Sequence, residues 1–169
     1  MRDGKMRRKD RAVDFDKIQT IIAQGHVAHI GMFDEEFPYV VPVNYGYEWQ
    51  GEQLVLYIHG AAKGKKLSCL QANGHVCVEV DLGSTLMPAG EQASEYSAAF
   101  QSVIGYGEAV ILAEPALKAH GLDLLMQHET GHGLADFKAL KPQQIRATSV
   151  VRITLDHLTG KEHALPTKA

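Results

Sequence analysis

Across residues 39–49 every second side chain is a valine or an aromatic: Tyr39, Val41, Val43, Tyr45, Tyr47 and Trp49 alternate with Val40, Pro42, Asn44, Gly46 and Glu48. A period of two held over this length belongs to an extended strand with one apolar face, and it excludes a helix here. Gln50-Gly51-Glu52 carries turn chemistry and residues 54–59 alternate again, so the two runs read as a hairpin. His59-Gly60-Ala61-Ala62-Lys63-Gly64-Lys65-Lys66 follows, a run of small residues that opens a helix carrying lysines. Backbone amides and ammonium groups gathered at a helix start suit a phosphate.

The rest of the chain supplies further strands that do not alternate regularly with helices. Apolar spacing predicts a helix over residues 13–24, closed by Gly25, and a strand over 26–33. A helix over 63–72 is followed by a strictly alternating strand at 75–81 and an aperiodic loop at 82–95, long enough to act as a lid or binding segment. A long strand at 98–113 is interrupted by Gly105 and Gly107, which predict a bulge, a barrel corner or a close approach of a ligand. Pro115 starts a helix to residue 129, residues 130–144 read as irregular, and 145–156 form the last strand before a polar tail at 157–169. Six largely antiparallel strands with three peripheral helices make a mainly β, α+β barrel in one domain of 169 residues.

A net charge of −3 argues against a general nucleic-acid binder. Positive charge is nevertheless concentrated in residues 1–12, where Arg2, Lys5, Arg7, Arg8, Lys9 and Arg11 form a basic arm, either solvated or folded over a partner or an anionic ligand. No apolar run follows this arm and no segment has the length of a membrane span, so neither a signal peptide nor a membrane protein is expected. Cys69 and Cys77 are too few for a disulfide scaffold and fit a cytoplasmic protein.

Two segments could carry chemistry. In the first, Lys65 and Lys66 with the amides around Gly60, Ala61 and Gly64 could hold a phosphate, while Pro42, Asn44 and Gly46 leave a strand edge bare for a flat ligand. The second is His128-Glu129-Thr130-Gly131-His132, the spacing of a zinc hydrolase, which requires both histidines one turn apart on a continuous helix. Thr130, Gly131 and Gly133 argue against that helix and no third ligand follows, so His128 is expected to cap a helix end. His26 and His29 are three apart in a strand and point to opposite faces, so no metal site is expected there.

Six pieces of the chain, taken in order, carry a family resemblance: MRRKDR (6–11), HIGMFDEEFPYVVPVNYGYE (29–48), LYIHGAAKGKKL (56–67), VCVEVD (76–81), SVIGYGEAVIL (102–112) and LTGKEH (158–163). Together they resemble the FMN-binding split-barrel proteins of the pyridoxamine 5′-phosphate oxidase-like superfamily, specifically its 5-nitroimidazole reductase branch. The resemblance implies a six-stranded antiparallel split β-barrel and a homodimer with FMN at the subunit interface. Pro42, Val43, Asn44 and Tyr45 would line the isoalloxazine. Gly60, Ala61, Gly64, Lys65 and Lys66 would meet the phosphate, Ser102 would touch the cofactor, and His59 would stand beside cofactor and substrate as a catalytic proton donor.

The chain departs from the founding oxidase in two places. Residues 38–48 contain no arginine, and the chain ends VVRITLDHLTGKEHALPTKA without an arginine-rich substrate signature. Oxidation of pyridoxamine phosphate is therefore not expected. The implied reaction is reduction of a nitroimidazole, nitroaromatic or similar small electrophile, with reduced nicotinamide as the electron source. A non-enzymatic carrier or sensor of flavin, or of haem, is the alternative.

Overall fold

The computed structural model describes residues 6–165. Helix α1 (Phe15–Gln24) is started by Asp14, whose side chain accepts from the Lys17 amide at 2.9 Å. The helix buries Ile18, Ile21 and Ile22, each burial contributing roughly 1.5–3 kcal/mol. Gly25 then continues in extended backbone. Glycine is needed there for space, since a Cβ would meet Val80 Cγ1 at 2.5 Å and the Tyr45 hydroxyl at 2.9 Å.

Seven strands follow: β1 (Ala28–Met32), β2 (Tyr39–Val43), β3 (Gly46–Gln50), β4 (Gln53–Ala61), β5 (His75–Met87), β6 (Ser97–Ile111) and β7 (Thr148–His163). They form one antiparallel sheet in the order β2-β1-β5-β6-β7-β4-β3. Helix α2 (Lys65–Ala72) joins β4 to β5, while α3 (Pro115–Thr130) and α4 (Pro142–Ala147) lie between β6 and β7.

Seven strands replace the expected six because the alternating run at 39–49 is cut at Asn44 and Tyr45. Its halves become opposite edges of the sheet. Tyr45 turns wholly into the core, where its hydroxyl donates to Ile22 O (2.7 Å) or Gly25 O (2.9 Å). Gly46 passes so close to α3 that a Cβ would overlap the backbone of Leu124 and Leu125. Three Cα steps separate Val43 from Gly46, at most about 11 Å, so the sheet must roll until its two edges approach each other. No ladder joins β2 to β3, and the barrel is split rather than closed.

The inner face holds Ile30, Met32, Val76, Val78, Val80, Val103 and Ile153 against α1. Val55, Tyr57, Leu112 and Val150 form a second cluster under Leu122 and Leu124 of α3, which is why β4 is buried on both faces. Two strands run beyond their expected ends. β5 continues past a register shift between Asp81 and Ser84, turned by Gly83 at φ +76°, so the expected loop shrinks to 88–96 with a 3-10 turn at Ala93–Glu95. β7 continues to His163 through what reads as a polar tail, and α4 occupies its expected beginning. The bulge predicted by Gly105 and Gly107 is present between Tyr106 and Gly107. Within the basic arm, Ala12 bridges Lys161, and Arg11 lies over the Phe100 ring at 5.8 Å. Arg2 and Lys5 lie outside the described residues.

Candidate functional site

β4 carries the Val55–Tyr57 face onward to His59, which is exposed where the strand leaves the cover of α3. Lys66 Nζ donates back to the His59 carbonyl at 3.2 Å. Gly60 keeps this approach open, since a Cβ there would lie 3.2 Å from the same ammonium. Gly64 enters α2 at φ +150°, a conformation side chains disfavour, and no side chain caps the helix. The start of α2 therefore has first-turn amides that no side chain satisfies, with Lys66 beside them. Burial pushes the Lys66 ammonium below the ordinary lysine range.

Lys65 is engaged differently. Its ammonium pairs with Asp34 at 2.6 Å and stands 5.2 Å from the Tyr39 ring. The Asp34 hydrogen bond raises the Lys65 pKa, and the same bond lowers that of Asp34. The pair ties the start of α2 to the segment between β1 and β2, and to β2 itself through Tyr39. Of the six positions at the β4–α2 corner, His59, Gly60, Ala61, Gly64, Lys65 and Lys66 are thus brought together.

Along β2, Pro42 faces outward opposite His29, and Val43 turns inward opposite Ala28. β2 is an edge strand, paired on one side only. Asn44 is exposed and donates to His26 O (3.0 Å) and Glu129 Oε2 (3.2 Å). Tyr45, expected beside the isoalloxazine, is fully buried with its hydroxyl committed to backbone carbonyls, and burial pushes its pKa up. Ser102 pairs with Asp81 on one side and Lys161 on the other. Lys161 is twelve residues along β7 from Ser149, the partner of Gly60, or roughly 40 Å of extended strand. One chain does not bring Ser102 to the β4–α2 corner along this path.

The zinc-hydrolase spacing does not form a metal site. α3 ends at Thr130, Gly131 takes a left-handed conformation at φ +75°, and His132 turns toward Asp136 at 3.7 Å. His128 instead has Nδ1 2.8 Å from Tyr45 O and Nε2 3.3 Å from Ala23 O, so it caps the end of α1. A different cluster does form on the outer face. His29 Nδ1 lies 3.0 Å from Glu79 Oε2, and one donor atom each from His29, Glu79 and Asp81 all fall within 4.8 Å of one another. The sequence gives no local sign of it, because fifty residues separate His29 from Glu79 and only the β1–β5 register sets them opposite.

Beside this cluster the outer face is apolar. Phe33 is 64% exposed, Phe37 67% and Val40 56%, with Ile104 and Tyr106 also exposed. A cavity of about 590 Å³ opens there between Met32, Phe33, Phe37, Cys77 and Tyr106.

A family model described as pyridoxamine 5′-phosphate oxidase matches residues 14–162. The chain belongs to this flavin-binding family. Among solved structures it is similar to a candidate 5-nitroimidazole antibiotic resistance protein from Bacteroides thetaiotaomicron, with 32% identity over 89% of this chain and 86% of that one, at a TM-score of 0.75. Two more distant relatives share the fold. The flavocytochrome Anf3 of Azotobacter vinelandii is 23% identical, covering 98% and 75% of the two chains at a TM-score of 0.83. A FAD and heme binding protein of Mycobacterium smegmatis is 20% identical, covering 95% and 77% at 0.79. No curated protein gives a significant match.

The corner residues fit the phosphate end of a flavin. An uncapped helix start, a glycine-lined approach and a partly buried ammonium form a donor set whose acceptors among the described residues are the His59 carbonyl, on Lys66, and the Asp34 carboxylate, on Lys65. Among the described residues no helix is long and apolar enough to cross a membrane.

Proposed function

We propose that this protein is a homodimeric, FMN-dependent reductase of nitroimidazoles or similar small electrophiles. The observation that carries the reading is the β4–α2 corner, where Lys66 and the free amides of α2 await an anion. The 32% identity to the Bacteroides protein supports the substrate class. Bound flavin supplies the two-electron chemistry that nitro-group reduction requires. Lys66 and the first-turn amides hold the phosphate, and Lys65 joins them by exchanging Asp34 for it. The free edge of β2 at Pro42–Asn44 presents backbone to the flat ring system. His59, exposed and with no side-chain partner among the described residues, delivers a proton to the substrate from its imidazole. Ser102, remote within one chain, reaches a cofactor from a second copy seated on the apolar outer face. Reduced nicotinamide is the electron donor, and two free cysteines suit the reducing cytoplasm.

Absorbance titration of the purified protein with FMN, FAD and haem tests the cofactor, followed by nitroimidazole turnover with reduced nicotinamide. Saturable FMN uptake with turnover is the expected result. The Lys65→Glu, Lys66→Glu double variant should then stay folded, with a melting temperature lowered only by loss of the Lys65–Asp34 pair, and lose at least about 100-fold in FMN affinity, since two charge-assisted hydrogen bonds contribute roughly 1.5–3 kcal/mol each. Preferential haem uptake, or FMN binding without turnover, would make the protein a carrier or sensor.

A further inference from the structure

We infer that His29, Glu79 and Asp81 form a binding site for a divalent first-row transition ion on the outer face of the sheet. His29 on β1 and Glu79 on β5 are directly opposed, and Asp81, two residues on, projects from the same face. The β1–β5 ladder fixes the backbone positions of His29 and Glu79 and the β5–β6 ladder that of Asp81, so the ordering left for metal binding is confined to the side chains. Gly83 N–H donates to one Asp81 oxygen at 2.6 Å and holds that carboxylate at the bulge, leaving its second oxygen available. Among the described residues no lysine or arginine pairs with either carboxylate. His29 is the one ion-pair partner of Glu79, and Lys161, across Ser102 from Asp81, is turned to the Phe100 ring at 5.5 Å. Two carboxylates with no lysine or arginine partner, beside an imidazole, favour a cation that accepts nitrogen and oxygen together, and disfavour Mg²⁺ or Ca²⁺, which take oxygen alone.

Bond lengths of about 2.0–2.2 Å require donors roughly 3.4 Å apart, so side-chain rotation must draw the widest separation, within 4.8 Å, in by up to about 1.4 Å. Three protein ligands leave at least one position for water or an external ligand. None of these residues lies in the flavin phosphate corner, but His29 opposes Pro42 and Asp81 opposes Ser102, both assigned to the cofactor, so ion uptake is read by calorimetry and Co²⁺ absorption, which require neither flavin nor turnover.

The test is calorimetric titration of the chelator-treated protein with Zn²⁺, repeated with Co²⁺ for its visible absorption. One ion per chain is expected, with affinity falling at least about tenfold in each of His29→Ala, Glu79→Gln and Asp81→Asn. His75→Ala and His132→Ala should bind as the parent does. Asp81→Asn can keep the Gly83 contact, so the inference remains testable should His29→Ala fail to fold. No uptake, uptake unchanged in the three ligand variants, or Mg²⁺ binding as tightly as Zn²⁺ would overturn it.

Discussion

The Tyr45 hydroxyl has a single proton and two carbonyls within reach, Ile22 O and Gly25 O at the end of α1. Its ring also packs 4.7 Å from His128, whose own nitrogens face Tyr45 O and Ala23 O. Tyr45→Phe strips a donor from this buried knot and should cost about 1–3 kcal/mol of unfolding free energy by denaturant titration. FMN affinity should stay within about twofold by the same accounting, because no Tyr45 side-chain atom faces solvent. A large loss of affinity would instead restore Tyr45 to the cofactor site. The contrast with Lys66 explains what a sequence can disclose about single residues. His59, Gly60 and Lys66 meet because they are neighbours along the chain, and small residues followed by lysines announce the corner. The inward turn of Tyr45 answers to α1 and α3, and the pairing of His29 with Glu79 answers to strand register. Neither leaves a local mark.

Among elements, the break between β2 and β3 shows where pattern reading stops. Alternation reports which face of a strand is apolar, and it is satisfied equally by one strand of eleven residues or by two that pack on the same core. Contact with α3 decides the matter at Gly46. Gly46→Ala would drive a methyl into the α3 backbone and should destabilise by roughly 1–3 kcal/mol, read as a lowered melting temperature. Gly90→Ala, whose new Cβ would have no neighbour closer than 3.9 Å, should be nearly neutral. The reverse holds at β5 and β7, which are longer than their apolar alternation. Polar residues at 84–85 and in much of 156–163 are tolerated in strand because neighbouring β6 supplies the ladder, a long-range condition. An irregularity at Gly105 and Gly107 was legible as a bulge, a barrel corner or the approach of a ligand, and the β6–β7 register decides for the bulge.

For the whole molecule, an outer face bearing Phe33, Phe37, Val40, Ile104 and Tyr106 asks for cover. If a second copy provides it, Val40→Asp with Ile104→Asp should yield monomers by analytical ultracentrifugation and abolish FMN retention, while the monomer stays folded by circular dichroism. A dimer unaffected by both changes would place the interface elsewhere. The position of β7 carries a consequence in time. It comes last in chain order among the seven strands, yet it stands between β6 and β4. Until residues 148–163 are available, the sheet exists as two unconnected pieces, β2-β1-β5-β6 and the β3–β4 hairpin, each with a bare edge. A ribosome releasing this chain strand by strand therefore exposes unpaired edges until β7 pairs, an arrangement that favours slow folding and exposure to chaperones in the interval.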